Sequence, residues 1–114
     1  MRRKSAEGRF AERVVSGVDD GGAEERIVIW IERKPGAVWA VGRAVNPQHR
    51  RSDEPRPDDY LFEGYELEDA LERANGTLED DVRVSSQDGR VVEVPRFERE
   101  ELLKPLEKWF FGRR

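Results

Sequence analysis

The stretch IVIWIERKPGAVWAVGRAV, residues 27–45, carries apolar side chains at odd and even positions alike. Two runs rich in β-branched and aromatic residues flank Pro35-Gly36, a dipeptide typical of turns, so the stretch predicts a β-hairpin. Successive side chains of a strand point to opposite faces of the sheet. A hairpin that is apolar on both faces therefore either lies between two covering layers or leaves one face exposed as a binding surface.

The position of the turn determines which side chains share a face. With Pro35-Gly36 as a two-residue tip, Lys34 pairs with Ala37, and each earlier residue pairs with one later residue. Trp30 and Trp39 then lie together on a second face, opposite a first face that combines isoleucines with small residues. A one-residue bulge would change this register. The expected members of the second face are Val28, Trp30, Glu32, Trp39, Val41 and Arg43.

Two later segments have the periodicity of helices that could cover these faces. Residues 65–80, YELEDALERANGTLED, predict an amphipathic helix near Leu67 to Leu78 on the first face, with Asn75-Gly76 as a possible early end. Residues 95–114, PRFEREELLKPLEKWFFGRR, predict a helical segment on the second face, kinked or divided at Pro105. The two apolar stripes are Leu67, Ala70, Leu71, Ala74 and Leu78, and Phe97, Leu102, Leu103, Leu106 and Phe110.

Three further segments are expected in the sheet. Residues 82–94, VRVSSQDGRVVEV, predict a second hairpin that turns at Asp88-Gly89. A strand is expected over residues 59–63. Residues 9–18 fit either a helix stripe or a strand, and the DDGG that follows them favours the strand.

Together these elements predict an α+β fold: an antiparallel sheet of four to six strands in meander hairpins, with one amphipathic helix packed on a face and a C-terminal helical segment on the other. For a chain of 114 residues we expect a single domain at 9–114, preceded by a flexible N-terminal tail at 1–8. Residues 46–58 are polar and rich in proline, which predicts a long loop that is either functional or disordered.

Residues that usually carry catalysis or hold metal ions are scarce. The chain has no cysteine and one histidine, His49, which stands beside Arg50 and Arg51. The lack of cysteine excludes thiolate metal sites and thiol nucleophiles, and His49 has no evident partner. Neither a glycine-rich phosphate loop nor the ligand spacing of an EF-hand occurs. The sequence therefore predicts a protein that is not an enzyme and has no cofactor-binding or metal-binding residues.

The cellular setting is predicted from two further features. No run approaches the roughly 20 apolar residues of a membrane span, and the basic start MRRK is not followed by the apolar stretch of a secretory signal. We therefore expect a cytoplasmic protein without a membrane span. Arginine outnumbers lysine 17 to 4, which we attribute to a GC-rich, bacterial genome rather than to a function.

Charge is distributed unevenly along the chain. Residues 58–81 contain ten acidic residues and one arginine, a segment charge of −9 within a chain whose net charge is −4. The main functional prediction is a non-catalytic protein-interaction or adaptor module that presents an acidic helix face to a basic partner, or that self-associates through leftover aromatic surface. The residues expected to bind the partner are Glu66, Glu68, Asp69 and Glu72.

A second hypothesis places single-stranded nucleic acid on the second hairpin face. Aromatic side chains that stack on bases, beside arginines that contact phosphates, are typical of single-strand binding. The acidic segment at 58–81 argues against this hypothesis because it would repel a phosphate backbone. The residues expected to form this surface are Trp30, Trp39, Arg43, Arg50 and Arg51.

Overall fold

The computed structural model describes residues 8–52, 54–86 and 92–104. Four strands form one antiparallel sheet in the order β1-β2-β3-β4, so each strand pairs with the next along the chain. A long helix, α1, follows the last strand and packs on one face of the sheet. These findings confirm the α+β class and the strands expected over 9–18 and 59–63. The elements are β1 Gly8–Val18, β2 Glu24–Lys34, β3 Val38–Val45, β4 Tyr60–Gly64 and α1 Leu67–Ser85.

The central hairpin forms in a register one residue away from the predicted one. Lys34 pairs with Val38 instead of Ala37, so the turn between β2 and β3 contains three residues. Gly36 and Ala37 adopt left-handed backbone angles, with φ of 85° and 61°, and this geometry accommodates the extra turn residue. A shift of one residue sends β3 side chains to the opposite faces. Trp39 and Arg43 therefore do not share a face with Trp30, and the predicted register is wrong.

One face of the sheet, which we call the helical face, holds the main hydrophobic core. Val15, Ile29 and Val41 on this face are fully buried, and α1 covers them with alternating leucines and alanines. Small alanines at two of the helix positions let the helix approach the bulky strand side chains closely. The buried members of the core are Ala11, Val15, Ile27, Ile29, Ile31, Trp39, Val41, Ala70, Leu71, Ala74, Leu78, Phe97 and Leu102.

Helix α1 is longer than predicted. It begins near the predicted residue, continues through Asn75-Gly76 and ends at Ser85. The predicted strand that began at residue 82 is therefore wrong, because Val82 continues the apolar stripe of the helix and packs against the core. Residues 92–98 form no strand either. The turn predicted at Asp88-Gly89 lies outside the residues that the structure describes.

The C-terminal segment covers the helical face and not the opposite one, as far as it is described. A short helix covers residues 99–104, and Phe97 and Leu102 are buried in the same core as α1. The prediction that this segment covers the second hairpin face is therefore wrong for residues 92–104. Pro105, with the rest of the predicted stripe beyond it, lies outside the described residues.

The opposite face of the sheet, which we call the loop face, has a small cluster of its own. Val28, Trp30 and Ala44 are buried there, and Tyr60 packs against them. The loop between β3 and β4 folds over this cluster and contains two short 3-10 helices, Pro47–His49 and Pro57–Asp59. The hairpin is apolar on both faces because a helix covers one face and this proline-rich loop covers the other.

Candidate functional site

Polar contacts within the aromatic cluster on the loop face hold its side chains in place. The Trp30 Nε1–H and the Tyr60 hydroxyl both donate to Oε1 of Glu32, at 2.9 and 2.8 Å. The guanidinium of Arg9 lies 3.9 Å above the Trp30 ring. Burial, reinforced by the bond to Glu32, raises the pKa of the Tyr60 hydroxyl well above its ordinary value. The phenol is therefore held in its protonated form, in which it donates its hydrogen bond to Glu32.

A shallow cavity of about 210 Å³ lies beside this cluster, under the loop. Its charged wall is a bidentate ion pair in which Arg50 donates to both carboxylate oxygens of Asp59, at 2.7 and 2.9 Å. The Arg50 guanidinium holds the pKa of Asp59 below its ordinary value. Asp59 also accepts the backbone N–H of Arg56, so the pair fastens both ends of the loop.

The five residues expected to bind single-stranded nucleic acid do not form one surface. Trp30 and Trp39 are 1% and 3% exposed and lie on opposite faces of the sheet. Arg43 donates to both oxygens of Asp81 on α1, and Arg50 is bound to Asp59. Of the five, only Arg51 is exposed. Stacking on bases requires an accessible ring face, which neither tryptophan offers.

The predicted acidic residues do share an accessible surface. Glu66, Glu68, Asp69 and Glu72 are all exposed at the beginning of α1, and Glu68 contacts Arg99 at 3.3 Å. The surface continues further along the helix than predicted. Two additional carboxylates, Glu79 and Asp80, extend it by another two turns. Their spacing from Glu72 and Asp69 is visible in the sequence and would have placed them on the same helix surface, had the helix not been expected to end near Leu78.

A groove of about 590 Å³ runs along this part of α1, beside the ring of Phe62 on β4. We call it the acidic groove. Arg73 is the one basic residue among those that line it, and its Nη1 donates to the backbone oxygen of Leu61 at 2.8 Å. The groove is lined by Phe62, Asp69, Glu72, Arg73, Gly76, Thr77, Glu79 and Asp80.

The carboxylates of the acidic groove are largely uncompensated. Asp69, Glu72 and Glu79 form no ion pair with any residue in the described part of the chain, and Asp80 contacts only Arg83, at 3.0 Å on the surface. A large aromatic, Tyr65, lies two residues before α1 with 74% of its surface exposed, outside the residues that line the groove. Exposed charge of one sign is typical of sites that bind a partner of the opposite charge.

The described residues contain no cluster suited to holding a metal ion. No group of three or more histidine, aspartate or glutamate side chains within 8–52, 54–86 and 92–104 is placed to hold a metal ion. His49 is exposed at the end of its 3-10 helix. No helix in the same ranges is long and apolar enough to cross a membrane.

Comparison with known proteins adds no relative. No protein-family model matches the chain, and searches of curated proteins and of solved structures find no match either.

Proposed function

We propose that this protein is a non-catalytic interaction module whose acidic groove binds a positively charged segment of a partner protein. The observation that supports this proposal is the row of exposed carboxylates along α1, most of which lack an ionic partner within the part of the chain that the structure describes. Asp69, Glu72 and Glu79 have no ionic partner among the described residues, and the lining arginine, Arg73, is turned toward the backbone of β4.

Such a row is unfavourable for the isolated molecule. Like charges at helical spacing repel one another and destabilise a helix by a few tenths of a kcal/mol per pair. A basic partner would relieve this repulsion and would be drawn toward the groove before contact. Each exposed ion pair contributes little by itself, so useful affinity needs several pairs together with apolar contacts to Phe62 or Tyr65.

Charge reversal in the groove tests this proposal. In the variant with Glu72→Lys and Glu79→Lys, we expect binding of a short fluorescent peptide that alternates arginine with serine to be lost, as measured by anisotropy at low ionic strength. Unchanged thermal unfolding would show that the fold is intact. The wild-type complex should also weaken as salt is added, because exposed charges are screened.

A matched control carries the same change in net charge elsewhere. Asp20→Lys with Glu24→Lys alters two exposed carboxylates near the turn between β1 and β2. This variant should bind the peptide as the wild type does. Equal loss in both variants would show that net charge alone drives the association, and the groove would then not be the site.

A further inference from the structure

The middle of α1 contains a glycine that the fold itself does not require. Gly76 lies nine residues from either end of the helix, Leu67 and Ser85, and faces solvent. A Cβ atom added there would meet no atom within 4 Å. The φ angle of Gly76 is not in the left-handed region. Glycine is less favourable than alanine inside a helix because it loses more backbone freedom on folding.

The neighbouring Asn75, by contrast, has a structural role. Its side-chain oxygen accepts the backbone N–H of Phe97 at 2.7 Å, and its Nδ2 donates to the Phe97 oxygen at 3.1 Å. These two bonds fasten the C-terminal segment to the helix. Asn75 is therefore accounted for by packing within the chain, whereas Gly76 is not.

Gly76 lies at the centre of the acidic groove. The residues three and four positions away on a helix surround a given position on its surface. Around Gly76 these are Glu72, Arg73, Glu79 and Asp80, and all four line the groove. The missing side chain leaves bare helix backbone between carboxylates on both sides.

We propose that the surface at Gly76 binds an arginine side chain from an extended basic segment of a partner protein. This inference rests on the proposed function and names the chemistry of the partner. A flat guanidinium can lie against bare helix backbone and donate to carboxylates on either side of it, whereas an ammonium is a compact point charge. The ring of Phe62 lines the same groove and offers a further contact for a guanidinium, although the guanidinium of Arg73 also lies 5.9 Å from its centroid.

The test uses Gly76→Ala and two labelled peptides that differ only in having arginine or lysine at every basic position. The wild type should prefer the arginine peptide by about fivefold or more. In Gly76→Ala we expect the melting temperature to rise and the affinity for the arginine peptide to fall by about tenfold, with the arginine preference lost. Gly21→Ala, at an exposed glycine in the β1–β2 turn, is the control and should leave both affinities unchanged.

Each remaining outcome separates this inference from the proposed function. If the wild type binds neither peptide, the proposed function fails and this inference fails with it. The wild type could bind both peptides, and Gly76→Ala could bind each with the affinity of the wild type while melting at a higher temperature. In that case the groove binds basic segments, but Gly76 is not the position that binds the arginine side chain. A lower melting temperature in Gly76→Ala would overturn the inference by showing that the fold needs this glycine. Sedimentation that shows a wild-type dimer disrupted by Gly76→Ala, without peptide binding, would assign the groove to a second copy of the chain.

Discussion

Among the glycines in the described ranges, Gly42 has the least room for a side chain, because it lies against Trp30 on the loop face. These residues pair directly across β2 and β3, and a Cβ atom at position 42 would overlap the six-membered ring of Trp30. Because Trp30 is also fixed by its bond to Glu32, it has little freedom to move aside. The substitution Gly42→Ala should therefore destabilise the protein by about 1–3 kcal/mol, as overpacking of a core does. The free energy of unfolding in urea measures this change.

Gly21→Ala is the matched control for Gly42→Ala. Gly21 lies in the exposed turn between β1 and β2, where an added Cβ would come no closer than 3.6 Å to Oδ1 of Asp19. Its stability should stay within about 0.5 kcal/mol of the wild type, as for most surface substitutions. If Gly42→Ala unfolds at the same urea concentration as Gly21→Ala, the observed pairing of β2 with β3 is wrong.

A single residue, Ala37, also explains why Trp39 was predicted to lie on the same face as Trp30. The two runs rich in β-branched and aromatic residues on either side of Pro35-Gly36 correctly predicted two strands and a turn. The face of each β3 side chain depends on whether Ala37 belongs to the turn or to the strand. Ala37 belongs to the turn and has a left-handed φ. Alanine adopts this conformation only rarely, so the residue type gave no reason to predict it.

At the scale of elements, periodicity predicted which segments pack, and α1 covers the β2 isoleucines as expected. The length of α1 and the face covered by the C-terminal segment were not predicted correctly. The stripe of α1 was visible from Leu67 onward. Its continuation through Val82 depends on contacts with the sheet, including the bidentate bond from Arg43 to Asp81. Such contacts join residues distant in sequence, so local propensity does not reveal them.

The C-terminal segment shows the same dependence on distant contacts. Arg13 on β1 donates to both oxygens of Glu101, at 2.8 and 2.7 Å, and also to the backbone oxygens of Pro95 and Arg96. These bonds hold the segment against the helical face. The apolar stripe around Leu102 predicted burial but gave no means of choosing between the two faces.

This attachment predicts a pH dependence of stability. The Arg13 guanidinium holds the pKa of Glu101 below its ordinary value in the folded protein. A carboxyl whose pKa is lowered on folding stabilises the protein above its unfolded pKa of about 4.3, and this stabilisation is lost as the pH falls through the folded value. Glu101→Gln should therefore be less stable than the wild type at neutral pH, and the difference should shrink below about pH 4.

Urea unfolding at a series of pH values measures this difference. Glu100→Gln serves as the control because Glu100 is exposed and adjacent in sequence. Its stability should follow the wild type at every pH. The difference in stability between Glu101→Gln and the wild type could instead stay constant from neutral to acidic pH. That result would show that protonation of Glu101 removes no stabilisation by Arg13.

At the scale of the whole molecule, charge is segregated more strongly than the net value of −4 indicates. The segment that carries −9 includes β4 and most of α1, so a row of exposed carboxylates lies along the helix. The sequence alone indicated a concentration of carboxylates here, because counting charges does not require knowledge of strand register, and two of the four predicted residues, Asp69 and Glu72, line the acidic groove. It missed the groove itself, since the groove depends on the packing of Phe62 against α1.

The most direct test of the central claim is a backbone-amide NMR titration of the isotope-labelled wild type with the arginine peptide. We expect the shifted resonances to belong to Phe62 and to residues 69–80 of α1, with Gly76 among the most affected. Resonances of the loop face, including Trp30 and Arg51, should remain in place. Shifts confined to the loop face, or none at saturating peptide, would contradict the assignment of the acidic groove as the binding site.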